Sequence, residues 1–314
     1  MRTAGLWRRW LLAPLRGLVG AGLTLVAVIA LCLALLRQVP GGPFDTERLA
    51  PAEVQAALAA RYRLDQPYWV QLGDYLGNAV RGDLGPSFQQ ADFTVAELIA
   101  AALPLTLAFG SAALLLAVLL ALLSGSAASW HAGRTARATG ALANLLQATP
   151  KFVLGPLLVA GLALGLGWLP VSGHGQGAAG WVLPVLTLAL PQWAWLHRVV
   201  AQQMHSIRNA LPWRAALARG RSGWTLLRRD ALPLLWPRLS AASVPVAIAL
   251  LTGSAVVEQV YAIPGMGRLL LNGAINRDYT LVLGVVTVSA ALLLLLGWWL
   301  DLLLCWLDPR LRPR

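Results

Sequence analysis

AALPLTLAFGSAALLLAVLLALL, residues 101–123, carries no charged side chain in 23 positions. About 20 helical residues rising 1.5 Å each match a hydrocarbon core of roughly 30 Å, so the stretch reads as a membrane span. Outward from it, comparable apolar runs occupy 17–36, 141–168, 181–196, 240–257 and 280–300. The composition agrees: of 314 residues 58% are hydrophobic and 12% charged, too few polar side chains to cover a water-soluble globule. Disordered, collagen-like and disulfide-rich secreted chains are excluded. The expected fold is an all-α integral membrane bundle of six transmembrane helices.

A net charge of +12 suggests nucleic acid in a soluble protein, but beside spans basic residues set topology and meet lipid headgroups. No nucleic-acid partner is expected; membrane lipids are. The first run follows Arg2, Arg8, Arg9 and Arg16 with no acid and no small-x-small cleavage site, as in an uncleaved anchor. With alternating sides, the N-terminus, residues 124–140, residues 197–239 and the C-terminal tail share a compartment and hold 17 arginines against seven opposite. Both termini are therefore expected in the cytoplasm. The chain then divides into a cytoplasmic N-terminus with the first span (1–36), an external loop (37–100), a five-helix core (101–304) and a cytoplasmic tail (305–314). The core includes a cytoplasmic loop, 197–239, and an external loop, 258–279. Eight acids make the loop 37–100 polar enough to fold in water, with helices predicted from Pro51 to about Tyr62 and from Tyr68 to about Val80. Pro150, Pro184, Pro191 and Pro245 fall inside spans, where broken backbone hydrogen bonds are tolerated beside neighbouring helices or a water-filled cavity.

The most informative loop stretch is WRAALARGRSGWTLLRRDALPLLWP, residues 213–237. Ala216 and Gly220 lie four apart, the spacing of one helical face, where small residues let another backbone approach. Arg214, Arg221, Arg228 and Arg229 supply charge for acids or lipid phosphates. Residues 213–227 read either as a basic helix on the membrane surface or as a docking helix.

The pair Ala215-Ala216, Gly220 four residues later and Pro237 seventeen further on resemble the EAA loop of ABC-importer permeases. That loop seats a short coupling helix in a groove of the ATPase subunit. Arg214 stands where the wider family has glutamate, a departure shared with its peptide branch. PGGPF (40–44), LDQP (64–67), RGDLGPSF (81–88), LPVSG (169–173), TGSAVVE (252–258), IPGMG (263–267), NRDY (276–279) and DPR (308–310) agree in order. Nearly the whole chain is covered, and it is similar to the B-type permease subunit of oligopeptide importers, a family shared with dipeptide and nickel permeases. The resemblance implies the ABC type I importer permease fold in a bacterial inner membrane. It also implies a second homologous permease subunit, two cytoplasmic ATPase subunits and an external peptide-binding protein as partners. The chain has no Walker-type Gly-x-x-x-x-Gly-Lys-Ser/Thr, so no catalytic residues and no cofactor are expected in it, and ATP with Mg is expected on the partner ATPases.

Glu258, Pro264, Gly265 and Gly267 mark either a surface turn or, as the resemblance implies, a re-entrant loop that closes the pathway or meets the binding protein. Glu258 is expected to pair with Arg268 or Arg277 rather than touch substrate. Lys151, the only lysine, falls inside the third predicted span, where a charge costs about 2.5 to 3.5 kcal/mol. Family members resemble Pro-Ser-Phe there. The lysine is either paired with backbone or snorkelling, or it lines the pathway and meets peptide carboxylate. No metal site is expected, because the four histidines show no paired spacing. An ion-coupled secondary transporter would need an ionisable relay inside its spans, and a membrane enzyme a carboxylate pair or a Ser/Lys dyad. Neither constellation is present.

Overall fold

The computed structural model describes residues 3–39, 66–90, 92–130, 133–171 and 177–307. The helix expected from Pro51 to Tyr62, the stretch 40–44 and the stretch 308–310 lie outside them. The helices are α1 (Thr3–Gln38), α2 (Tyr68–Val80), α3 (Val95–Trp130), α4 (Arg134–Ala148), α5 (Lys151–Leu158), α6 (Ala179–Asn209), α7 (Leu211–Ala218), α8 (Gly223–Val260), α9 (Met266–Ile275) and α10 (Tyr279–Leu307). Among the described residues α1, α3, α6, α8 and α10 are each long and apolar enough to cross a membrane.

The third span departs from the single helix expected over 141–168. Residues Ala136–Ala148 and Lys151–Gly165 form a pair bent by 113°. Proline lacks an N–H, and its ring drives the preceding residue out of the helical region. Thr149 (ψ 118°) and Pro150 (ψ 144°) are accordingly extended. The Thr149 hydroxyl and its own N–H both bond to Leu145 O, closing the end of α4. Pro184, Pro191 and Pro245 instead lie inside continuous helices, so each removes one backbone bond without ending its helix.

The chain forms two compact units, residues 1–105 with 264–298, and residues 106–263 with 299–314. In the first, α2 lies on α1, with Tyr68 donating to Ala30 O at 2.7 Å and Leu72 buried beside Ile29 and Leu283. The Tyr75 hydroxyl meets Thr287 Oγ1 at 2.9 Å, and burial pushes its pKa up to about 12, so it stays neutral. Leu84, Val95, Ile99, Met266, Leu281 and Val285 form a second cluster. The start of α3 is a capping box: Thr94 Oγ1 accepts from Glu97 N, and Glu97 Oε2 accepts from Thr94 N.

Two of the quoted motifs meet in this unit. Asp278, 1% exposed, accepts hydrogen bonds from the Ser87 hydroxyl, the N–H groups of Phe88 and Gln89, the Thr280 hydroxyl and Leu281 N–H. One carboxylate thus caps α10 and holds the loop ahead of α3.

In the second unit α3 presents a stripe of small buried residues at every fourth position: Ala113, Ala117, Ala121 and Gly125. In lipid, where apolar surface gains nothing by leaving the solvent, close backbone approach drives helix association. At Gly125 a Cβ would sit 2.7 Å from Val200 Cβ and 3.0 Å from His197 O of α6. Beside that contact Ser124 Oγ lies 2.8 Å from His197 Nδ1 and accepts from Trp193 Nε1 at 2.9 Å.

Candidate coupling surface and pathway residues

Ala210 is extended (φ −72°, ψ 146°) and Pro212 occupies the first turn of α7, where its missing N–H costs nothing. Trp213 and Ala216, three apart, are the buried residues of α7. Trp213 packs edge-on against Trp130 at the end of α3, with centroids 5.8 Å apart, and the Arg208 guanidinium lies 5.1 Å over the same Trp130 ring. The anchored helix leaves Leu211 80% and Leu217 54% exposed, together with Arg214 and Ala215.

The helix ends earlier than expected. After Ala218, Arg221 N bonds to Ala216 O and Gly220 N to Leu217 O, the paired bonds of a Schellman motif, with Gly220 at φ +77°. Residues 213–227 are therefore not one helix, and Gly220 does not share a packed face with Ala216; a Cβ there would meet nothing within 4 Å. The bulk a larger side chain would add has no neighbour in this chain to strike. What requires glycine is the left-handed backbone. Ser222 then caps the next helix through Thr225 N, and Arg221 pairs with Asp230 at 3.0 Å across the turn. Pro237 lies within α8.

Lys151 opens α5 at the bend. Its ammonium donates to Ala249 O of α8 at 3.3 Å and lies over Gly253, where any Cβ would overlap it. Glu258, 2% exposed near the end of α8, accepts from Thr106 Oγ1 at 2.8 Å. Tyr261 just beyond it bonds with Thr187 Oγ1 at 2.8 Å and donates to Gly155 O at 3.2 Å. Gly265 is the extended residue before α9, Pro264 precedes it, and Gly267 lies in the first turn, so this segment starts a ten-residue helix rather than a plain turn.

Residues 113–313 match the family described as "Binding-protein-dependent transport system inner membrane component". The chain belongs to that family. The oligopeptide transport system permease protein OppB of Haemophilus influenzae is 36% identical over 292 residues, covering 92% of this chain and 95% of the relative. OppB of Salmonella typhimurium is 37% identical over the same shares, and the dipeptide transport system permease protein DppB of Bacillus subtilis 31% over 92% and 94%. A solved inward-facing structure of the MetNI methionine ABC transporter has a chain that superposes with a TM-score of 0.54 at 18% identity, over 67% of this chain and 96% of that one. A structure of an amino acid ABC transporter with histidines gives 0.51 over 68% and 94%. These likenesses show the fold: this binding-protein-dependent inner membrane component is an all-α, multi-pass membrane protein with the ABC-importer permease fold.

In this inner membrane component the residues missed by sequence reasoning are those that fix α7. Trp130 has no sequence signal of a partner, yet Trp213 packs on it and Arg208 lies over its ring, and Gly223 leaves room for it, a Cβ there falling 3.0 Å from its ring. For Gly220 the geometry gives an expected outcome. Gly220→Ala should cost about 1 to 2 kcal/mol of backbone strain at the end of α7, whereas Gly220→Asn, which tolerates the left-handed region, should cost less. Thermal unfolding of the two purified variants compares them. Equal losses would remove backbone strain as the cause.

Proposed function

We propose that the chain is one permease subunit of an ATP-driven importer that moves oligopeptides delivered by an external binding protein. In this reading a second permease subunit completes the pathway, and two cytoplasmic ATPases bind and hydrolyse ATP with Mg. The observation that carries it is α7, pinned by Trp213 and Ala216 while Leu211, Arg214 and Leu217 on its other face are exposed. An exposed apolar patch rimmed by charge is the mark of a docking site, and α7 occupies the position of the coupling helix in the resembling loop. Oligopeptide rather than dipeptide cargo is supported by identities of 36–37% to OppB proteins against 30–31% to DppB proteins. Both termini and α7 then face the cytoplasm, while Glu258, Pro264, Gly265 and Gly267 lie toward the external side, where α9 closes the path or meets the binding protein.

The test is Leu217→Asp in the assembled importer, with uptake of tri- to pentapeptides and of dipeptides measured in vesicles. A charge placed in a packed apolar contact is expected to reduce ATPase co-purification at least about tenfold, at normal membrane levels of the permease. Co-purification and uptake at wild-type levels would remove α7 as the docking helix. Import of dipeptides alone by the wild type would move the cargo to the smaller class.

A further inference from the structure

Lys151 holds the only Asp, Glu, Lys or Arg charge between Arg137 and Arg198, and it lies in a span. Its partner is one carbonyl at the long distance of 3.3 Å, although an ammonium has three donors. The two acids of residues 106–263 are engaged elsewhere, Asp230 with Arg221 and Glu258 with Thr106. The lysine meets α8 at Ala249 and Gly253, and Gly253 lies about 10 Å along the helix from its end at Val260, at 1.5 Å per residue. The ammonium thus lies against a candidate membrane span, half-buried, and has no anionic partner among the described residues.

An ammonium so placed keeps its charge only where water or an anion completes its coordination. The 113° bend at Thr149-Pro150 brings Lys151 onto α8, and the absent side chain at Gly253 leaves the ammonium the helix surface to lie on. Non-helical backbone in a span is tolerated where it is buried in protein or lines a water-filled cavity, and the half-exposed lysine at this bend fits the second.

We propose that Lys151, seated on Gly253, lines the aqueous path and is a specificity-determining cation that takes carboxylate groups of the passing substrate, favouring anionic over cationic peptides. The inference rests on the peptide-importer reading above. Its chemistry is that of a charge-assisted hydrogen bond between an ammonium and a carboxylate. Lys151→Gln keeps the length of the side chain and removes the charge. Gly253→Ala keeps the charge and displaces it.

The experiment uses the complete importer in vesicles and the tripeptides Ala-Glu-Ala and Ala-Lys-Ala, each saturating the binding protein. Loss of one such bond should lower the ratio of Ala-Glu-Ala to Ala-Lys-Ala uptake about tenfold in Lys151→Gln, and in the same direction in Gly253→Ala. A second readout is independent of transport. Lys151→Cys, in a background with Cys32 and Cys305 replaced by serine, should react with a charged water-soluble thiol reagent in nanodiscs. An unchanged uptake ratio in Lys151→Gln, or a thiol inert to the reagent, overturns the proposal. Failure of the wild type to import either tripeptide overturns the peptide reading instead, and the thiol result then still decides whether Lys151 faces water.

Discussion

Gly125→Leu is expected to lower the ratio of folded to unfolded protein about a hundredfold. The position has no room: a Cβ alone would come within 2.7 Å of both Val200 Cβ and Cγ1 and within 3.0 Å of the His197 carbonyl oxygen. Val200 and the carbonyl sit on α6, a helix buried along much of its length, so neither moves without disturbing its other contacts. Overpacking costs typically 1 to 3 kcal/mol, and a leucine against backbone belongs at about the upper end. Each 1.4 kcal/mol is a factor of ten in the ratio of folded to unfolded protein, so a loss of about 3 kcal/mol lowers that ratio more than a hundredfold. The same wedge would pull Ser124 from His197 and Trp193 and open the polar contact beside it. Gly125→Ala should be milder, and combining it with Val200→Ala should recover part of its loss, because that substitution clears the side-chain contact but leaves the carbonyl. Fluorescence-detected size exclusion and thermal unfolding in detergent measure both effects. Wild-type stability in Gly125→Leu would remove the close approach of α3 and α6 from the fold.

That stripe was legible and went unread. Small residues at 113, 117 and 121 sit in the very run whose lack of charge marks a span, with Gly125 two residues past it, and hydropathy registers alanine only as apolar. The spans themselves follow from run length, since nothing but continuous apolar sequence satisfies lipid. The bend in the third span escapes the same test because the apolar run continues through Pro150 while the backbone does not. At Gly220 the spacing of four to Ala216 suggested a shared face. The signal that decides it is Pro212 near the start and glycine just past the end of a short helix, the usual asymmetry of helix termini. The resemblance points to the segment that forms α7 without showing how it is held, because Trp130 is 83 positions from Trp213 and only the folded chain puts their rings 5.8 Å apart. Lys151 stands out in the sequence by its charge inside a span and by its departure from the family's Pro-Ser-Phe, and its seat on Gly253 requires the structure.

Asp278→Ala is expected to be as damaging as the wedge at Gly125, by the opposite route of removing a group rather than adding one. The carboxylate is 1% exposed and accepts from three backbone N–H groups, at Phe88 (3.2 Å), Gln89 (3.3 Å) and Leu281 (3.1 Å), besides the hydroxyls of Ser87 and Thr280. Alanine leaves those amides without an acceptor, and an unsatisfied buried donor costs about 1 to 3 kcal/mol, more when its partner was charged. The losses share one carboxylate and do not add fully, so about 3 to 5 kcal/mol is expected. Two elements would loosen together. The α10 helix loses the acceptor at its N-cap, and the loop 81–94 loses its tie to a residue 191 positions from Ser87 in the chain. Asp278→Ser separates the two: a serine can cap α10 through Leu281 N–H but is too short to hold Phe88 and Gln89, so it should restore part of the unfolding temperature and leave the loop open to protease. Asp278→Asn keeps one acceptor oxygen and should fall between serine and the wild type. Limited proteolysis mapped to the loop, run beside thermal unfolding, reads the two functions apart. If Asp278→Ala unfolds at the wild-type temperature with the loop still protected, the carboxylate is not what holds these motifs together.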